Sequence, residues 1–149
     1  MVTADKVKQL RDKTGSSMME CKKALTEAKG DEEKALKILQ EKGRLTAMKK
    51  AERNAEEGVV EAYIHGNKKV GVLLKLKCET DFVAKNQEFK ELAHELAMHI
   101  AGMESKDEES LMQEPFVKNP SVTIKQLIEE KIAKLGENIK IGEFIRYEL

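Results

Sequence analysis

Few residues in this sequence could carry chemistry, and most are spaced wrongly for it. His94 and His99 lie five apart in a stretch that reads as helix. Two helix ligands for one metal ion need a separation of three or four, so a zinc pair is disfavoured. A half-buried packing role is expected for His99, and His65 is expected to be exposed in a turn. Cys21 and Cys78 stand alone without CxxC spacing, the pattern of reduced thiols in a cytosolic protein. No Ser or Cys has a His placed to activate it. Neither GxxxxGKS nor GxxxxGKT nor GxGxxG occurs, so the usual phosphate cradles are missing. The carboxylates are scattered over polar faces. Nothing here asks for an enzyme, a metal or a cofactor.

Two segments are odd for plain structural roles. Met18 and Met19 adjoin at a helix start within Thr14-Gly15-Ser16-Ser17-Met18-Met19-Glu20-Cys21. Neighbouring helix residues point about 100° apart, so only one of the two can sit squarely on a core stripe. Either both wrap a loosely packed edge, or they offer a deformable apolar contact to a partner. The second segment is Cys78-Glu79-Thr80-Asp81-Phe82-Val83, at a strand-to-helix corner with Thr80 or Asp81 as the cap. Phe82 is one of only four Phe residues. It is either a staple folded back on the helix, which spacing alone favours, or half of a presented carboxylate–aromatic pair.

The elements that must position these segments follow from periodicity. Ala4, Val7 and Leu10 form one apolar stripe, and Met18, Cys21, Leu25 and Ala28 a second. Asp31 caps a third helix through Ala35 and Leu39, which Gly43 is expected to close. Residues 44–57 read as a solvated connecting helix, dividing the chain into residues 1–52 and residues 53–149. After Gly58 the period becomes two. Val60, Ala62 and Ile64 alternate with polar neighbours, a turn follows at His65-Gly66-Asn67-Lys68, and Val70, Val72, Leu74, Leu76 and Cys78 form the second strand. Phe89, Leu92, Ala93, Leu96, Ile100 and Met103 mark the strongest amphipathic helix. A charged loop and an irregular stretch between Pro115 and Pro120 lead to a helix over residues 123–135, stopped by Gly136. A final strand is expected to carry Ile139, Ile141, Ile145 and Tyr147 on one face. The order predicts an α+β fold: a three-helix module, then a three-stranded antiparallel sheet with helices on one side.

Composition narrows the classes further. Lys plus Arg and Asp plus Glu are 27 each, so the broad basic footprint of a non-specific nucleic-acid binder is not expected. No apolar run approaches the ~18 residues of a membrane span. Against this stands one alternative, a ribosome- or RNA-associated adaptor using Lys49, Lys50, Arg53, Lys68, Lys69, Lys75 and Lys77; no aromatic platform accompanies those cations.

Three of these segments, in this order, carry a resemblance that runs through nearly the whole chain. Thr14 to Leu25, Glu79 to Asn86, and Lys134-Leu135-Gly136-Glu137-Asn138-Ile139 resemble signatures of the elongation factor Ts family, the nucleotide-exchange factors for elongation factor Tu. The resemblance implies a three-helix module like a ubiquitin-associated domain, an α+β core, and a cytoplasmic role in protein biosynthesis as a guanine-nucleotide exchange factor. It implies that the factor binds the GTPase and no nucleotide itself. It carries partner contacts onto Arg11, Met18 and Met19 in the module, and onto Leu135 and Gly136 in the core turn. Thr80, Asp81, Phe82 and Val83 would act near the partner's magnesium site. The sequence departs from the family pattern at Ser17, where a Gly is usual, and at Gly142-Glu143, where a basic pair is common. Residues 104–115 are also very short for the family, which resembles members that complete the fold as homodimers.

Overall fold

The computed structural model describes all residues, 1–149. Helices α1 (Ala4–Thr14), α2 (Met18–Glu27) and α3 (Glu32–Lys50) come first. Strands β1 (Glu57–Ile64) and β2 (Val70–Cys78) follow, then α4 (Asp81–Ala84), α5 (Gln87–Met103), α6 (Glu108–Gln113), β3 (Pro115–Phe116), β4 (Asn119–Thr123), α7 (Ile124–Leu135) and β5 (Lys140–Glu148). This is the α+β arrangement that the periodicity predicts.

Side-chain caps delimit the first three helices. Thr3, Ser17 and Asp31 each accept an N-terminal backbone N–H of α1, α2 and α3 respectively. Ser17 and Glu20 form a reciprocal capping box. Ser17 has φ −64°, an ordinary extended-side value, so replacing the family's glycine strains nothing here. Val7, Leu10, Cys21, Ala24, Leu25, Ala28 and Ala35 form a small core of their own.

Gly43 does not close α3. The helix runs on to Lys50 as one piece, and its second half packs on α7. A Cβ at Gly43 would lie 3.7 Å from the Glu129 carbonyl oxygen, so the glycine marks where α7 crosses α3 closely. The expected separate connecting helix is therefore the end of α3, and Ala47 belongs to the larger core.

The larger core lies between a sheet of order β1-β2-β5 and the helices α4, α5 and α7. Both strand pairs are antiparallel. Gly58, at φ +150°, lies so close to β2 that a Cβ there would meet the Leu76 carbonyl oxygen at 2.0 Å. Val72, Leu74, Leu76 and Cys78 point into the core from β2, as the alternation predicts. Two face assignments differ from expectation. On β1 the inward residues are Val59, Glu61 and Tyr63, while Val60, Ala62 and Ile64 face solvent. On β5 the register slips between Ile141 and Phe144, which oppose Leu76 and Leu74. The extra residue is a bulge, and it turns the faces over. Ile139 and Ile141 are buried, Phe144 and Arg146 continue on the helix side, and Ile145 and Tyr147 are exposed. Arg146 donates to the Ala101 carbonyl from Nε at 3.1 Å and from Nη2 at 2.9 Å, tying β5 to α5.

The stretch expected to be loop contains α6, capped by Asp107, and the β3–β4 hairpin. His99 is fully buried rather than half-buried, and it organises this region. Its Nδ1 accepts the Val117 N–H at 3.2 Å, which leaves Nε2 to donate to Glu114 at 2.8 Å, and Ser105 Oγ donates to the same carboxylate oxygen at 2.7 Å. No group of three or more metal-ligating side chains occurs, and no helix is long and apolar enough to cross a membrane.

Candidate partner-binding site

The corner between β2 and α4 is built by Thr80. Its Oγ1 accepts the Val83 N–H at 3.4 Å and caps α4. Asp81 is thus not the cap. It lies exposed in the first turn, 3.6 Å from Lys85 Nζ. Val83 is half-buried and packs on the larger core. Phe82, one residue earlier, turns outward and is 82% exposed. The staple reading fails on this point, since a stapled ring would be covered. An aromatic ring left in water at a four-residue helix contributes little to the fold that carries it.

Glu137 and Glu79 brace the corner from below. Glu137 Oε1 accepts the backbone N–H groups of Glu79 at 3.1 Å and Thr80 at 3.0 Å, and its Oε2 accepts the Thr80 hydroxyl at 2.6 Å. Glu79 Oε2 in turn accepts the Asn138 N–H at 2.8 Å. Cys78 Sγ donates to the Thr80 carbonyl at 3.2 Å. Burial, with the Glu137 carboxylate as a second cause, pushes the Cys78 thiol up to about 11, so it stays protonated and inert at neutral pH.

The turn after α7 supplies that brace. Gly136 ends the helix at φ +79°, donating its N–H to the Ile132 carbonyl at 2.9 Å. Leu135 is half-buried against the larger core, and Gly136 is exposed. Two residues before Gly136, Lys134 pairs with Glu88 of α5 at 2.5 Å, and its Nζ lies 2.9 Å from where a Gly15 Cβ would be. Gly15, at φ +72°, ends α1 and leads through Ser16 and Ser17 to the exposed Met18 (50%) and Met19 (72%). Neither methionine joins the core stripe of Cys21, Ala24 and Leu25. Arg11 is exposed on α1, and its carbonyl accepts the Gly15 N–H at 2.7 Å.

The three segments singled out in the sequence are therefore linked contact by contact, from the α1–α2 turn through the C-terminus of α7 to the β2–α4 corner. Sequence reasoning missed Glu137 and Glu79. The sign it overlooked was a pair of carboxylates inside two turn segments 58 residues apart, a pairing that only the sheet order reveals. The cations of the adaptor reading are spread over the end of α3, the segment after it, the β1–β2 turn and β2, where Lys75 and Lys77 lie. Lys49 and Lys50 end α3, Lys68 and Lys69 lie in the hairpin turn, Lys75 pairs with Glu143 at 3.2 Å, and Arg53 lies 3.6 Å from Glu79.

Comparison with known proteins agrees with the class that this fold and corner suggest. The family profile described as Elongation factor TS matches residues 79–149. Elongation factor Ts of Carboxydothermus hydrogenoformans is 43% identical over 194 aligned positions, covering 100% of this chain and 89% of that protein. Elongation factor Ts of Acetivibrio thermocellus is 44% identical, covering 99% and 90% respectively, and that of Alkaliphilus metalliredigens is 45% identical, covering 99% and 89%. The chain belongs to the elongation factor Ts family. It is a short member: 194 aligned positions face 149 residues, so at least 45 positions of the Carboxydothermus protein have no counterpart here.

Proposed function

We propose that the chain is a guanine-nucleotide exchange factor that binds elongation factor Tu carrying GDP and promotes GDP release during translation elongation in the cytoplasm. The observation that carries this reading is Phe82, 82% exposed on a braced corner in a chain of this family. Asp81 and Phe82 work at the partner's magnesium site. Thr80 and Val83 hold them there, Leu135 and Gly136 extend the contact, and Arg11, Met18 and Met19 dock the N-terminal module. Residues 1–52 serve as the docking module and residues 53–149 as the core that carries the lever. The factor binds no nucleotide itself.

Exchange needs no bond-making residue. A factor that binds the empty GTPase better than the loaded one weakens nucleotide binding by the same ratio. A rate gain of ~10³–10⁵ requires roughly 4–7 kcal/mol at the release step. Burying one Phe supplies only ~1.5–3 kcal/mol. Phe82 must therefore share the task with displacement of magnesium and with the methionine contact. Fast GDP release from elongation factor Tu on adding the chain is the expected result. Salt-dependent RNA binding without any effect on GDP release would favour the adaptor instead.

A second copy of the chain completes the proposal. The outer sheet face brings Ala62, Leu73 and Ile145 side by side in register, flanked by Val60, Ile64 and Tyr147, all with solvent-exposed side chains. Only the opposite face of the sheet is covered by helices. Three strands covered on one side are near the lower limit for independent stability. Beside the apolar patch, Lys75 is paired with Glu143 of the neighbouring strand.

A further inference from the structure

We propose that Glu137 is a positioning residue for exchange: its carboxylate locks the β2–α4 corner in the conformation that aims Asp81 and Phe82 outward. The inference rests on the reading that Phe82 drives GDP release.

An exposed ring has no packing of its own to fix its direction. At 82% exposure, the aim of Phe82 must come from the backbone beneath it. That backbone is a four-residue helix, far too short to hold itself. The Asp81–Lys85 pair is exposed and adds little rigidity.

Glu137 supplies what the corner lacks. One carboxylate accepts two successive backbone N–H groups and a hydroxyl, all on residues 79 and 80. Hydrogen bonds to an ionised acceptor are about twice as strong as neutral ones, and three converging on one side chain fix both position and angle. The hydroxyl it accepts is Thr80 Oγ1, the same atom that caps α4 by accepting the Val83 N–H. Glu137 therefore sets the side-chain rotamer of the cap as well as the backbone before it.

The brace is anchored in turn. Asn138, next to Glu137, donates its backbone N–H to Glu79 and its side-chain amide to the Arg53 carbonyl at 2.8 Å and the Ala51 carbonyl at 3.3 Å. The turn after α7, the corner and the segment that follows α3 are thus tied together by hydrogen bonds.

The test is a double-mutant cycle read as GDP release from elongation factor Tu per folded molecule, with circular dichroism fixing the folded fraction. Glu137→Ala should slow release roughly 10–100-fold, the scale on which a slightly misplaced working group acts. Glu137→Gln, which keeps one acceptor oxygen for the two N–H groups, should recover most of the rate. Once Asp81 and Phe82 are both Ala, Glu137→Ala should slow release little further, because the residue acts through that pair. Should Glu137→Ala not fold, Glu137→Gln enters the same cycle and its smaller effect must likewise vanish once Asp81 and Phe82 are both Ala. Equal slowing with and without the Asp81–Phe82 pair, or a lowered melting temperature with unchanged release, overturns the proposal. If Phe82→Ala alone leaves release unchanged, the underlying reading fails first, and that single variant reveals it without reference to Glu137.

Discussion

Glu129 and Glu130 show how burial acts on single residues of α7. Both face a cleft of about 940 Å³ between the α1–α2 turn, α3, β4 and α7. Burial raises the Glu130 carboxyl above its ordinary 4.5; Lys131 and Lys134 offset part of the rise, and Glu88 adds to it. Burial raises Glu129 as well, against the pull of Lys125 and Arg44. A carboxyl raised in the fold favours the proton there, so its contribution to stability is full below the unfolded value and is lost as pH climbs through the folded one. Glu130→Gln should therefore melt at a higher temperature than the wild type at about pH 7, with the gap closing toward about pH 4. A gap that widens on acidification would mean that Glu130 is held as the anion. Residue identities pointed to the proposed site, but their environments were not legible. Phe82 could be a staple or a knob until its exposure was known, and Thr80 and Asp81 were equal candidates for the cap.

The elements were legible where period and caps agreed. The α5 stripe of Phe89, Leu92, Ala93, Leu96 and Ile100 is buried, as its spacing requires. The β1–β2 hairpin and the order of the main elements follow in the same way. The failures have physical causes. A one-residue bulge at Gly142-Glu143 reverses every later side chain of β5, and alternation in a sequence does not register a bulge. Six residues are too few for α6 to show a helical period, and Pro120 disguises β4. Gly43 reads as a stop because glycine usually ends helices, yet here tertiary packing against α7 carries the helix through. Gly43→Ala should then raise stability by about 0.5–1 kcal/mol through helix propensity alone. The new Cβ would meet the Glu129 carbonyl oxygen at an ordinary 3.7 Å. Denaturant unfolding measures the change; a loss of stability would mean that α3 and α7 cannot accept a methyl between them.

At the scale of the whole molecule, two cores share one helix. The small core belongs to α1, α2 and the first half of α3, while Ala47 of the same helix is part of the large core. Cutting after residue 52 would strip that contact, so the docking role of the module is better tested on its surface. Replacing Met18 and Met19 together with Ala should weaken binding to elongation factor Tu without lowering the melting temperature, because both side chains are exposed. Unchanged binding would count against docking through this helix start. Sedimentation should find a dimer at micromolar concentrations, and Leu73→Glu on the outer sheet face should convert it to monomer; a monomer in the wild type would contradict the pairing of sheets.

The lever at the β2–α4 corner is the centre of the account, and Phe82→Ala tests it most directly. Melting and GDP release from elongation factor Tu are to be measured on the same preparation. A presented ring predicts a melting temperature close to that of the wild type and sharply slower release, because the ring is 82% exposed and packs on nothing in its own chain. A variant that melts early yet releases GDP at the wild-type rate per folded molecule would contradict the account, since Phe82 would then serve the fold and not the partner.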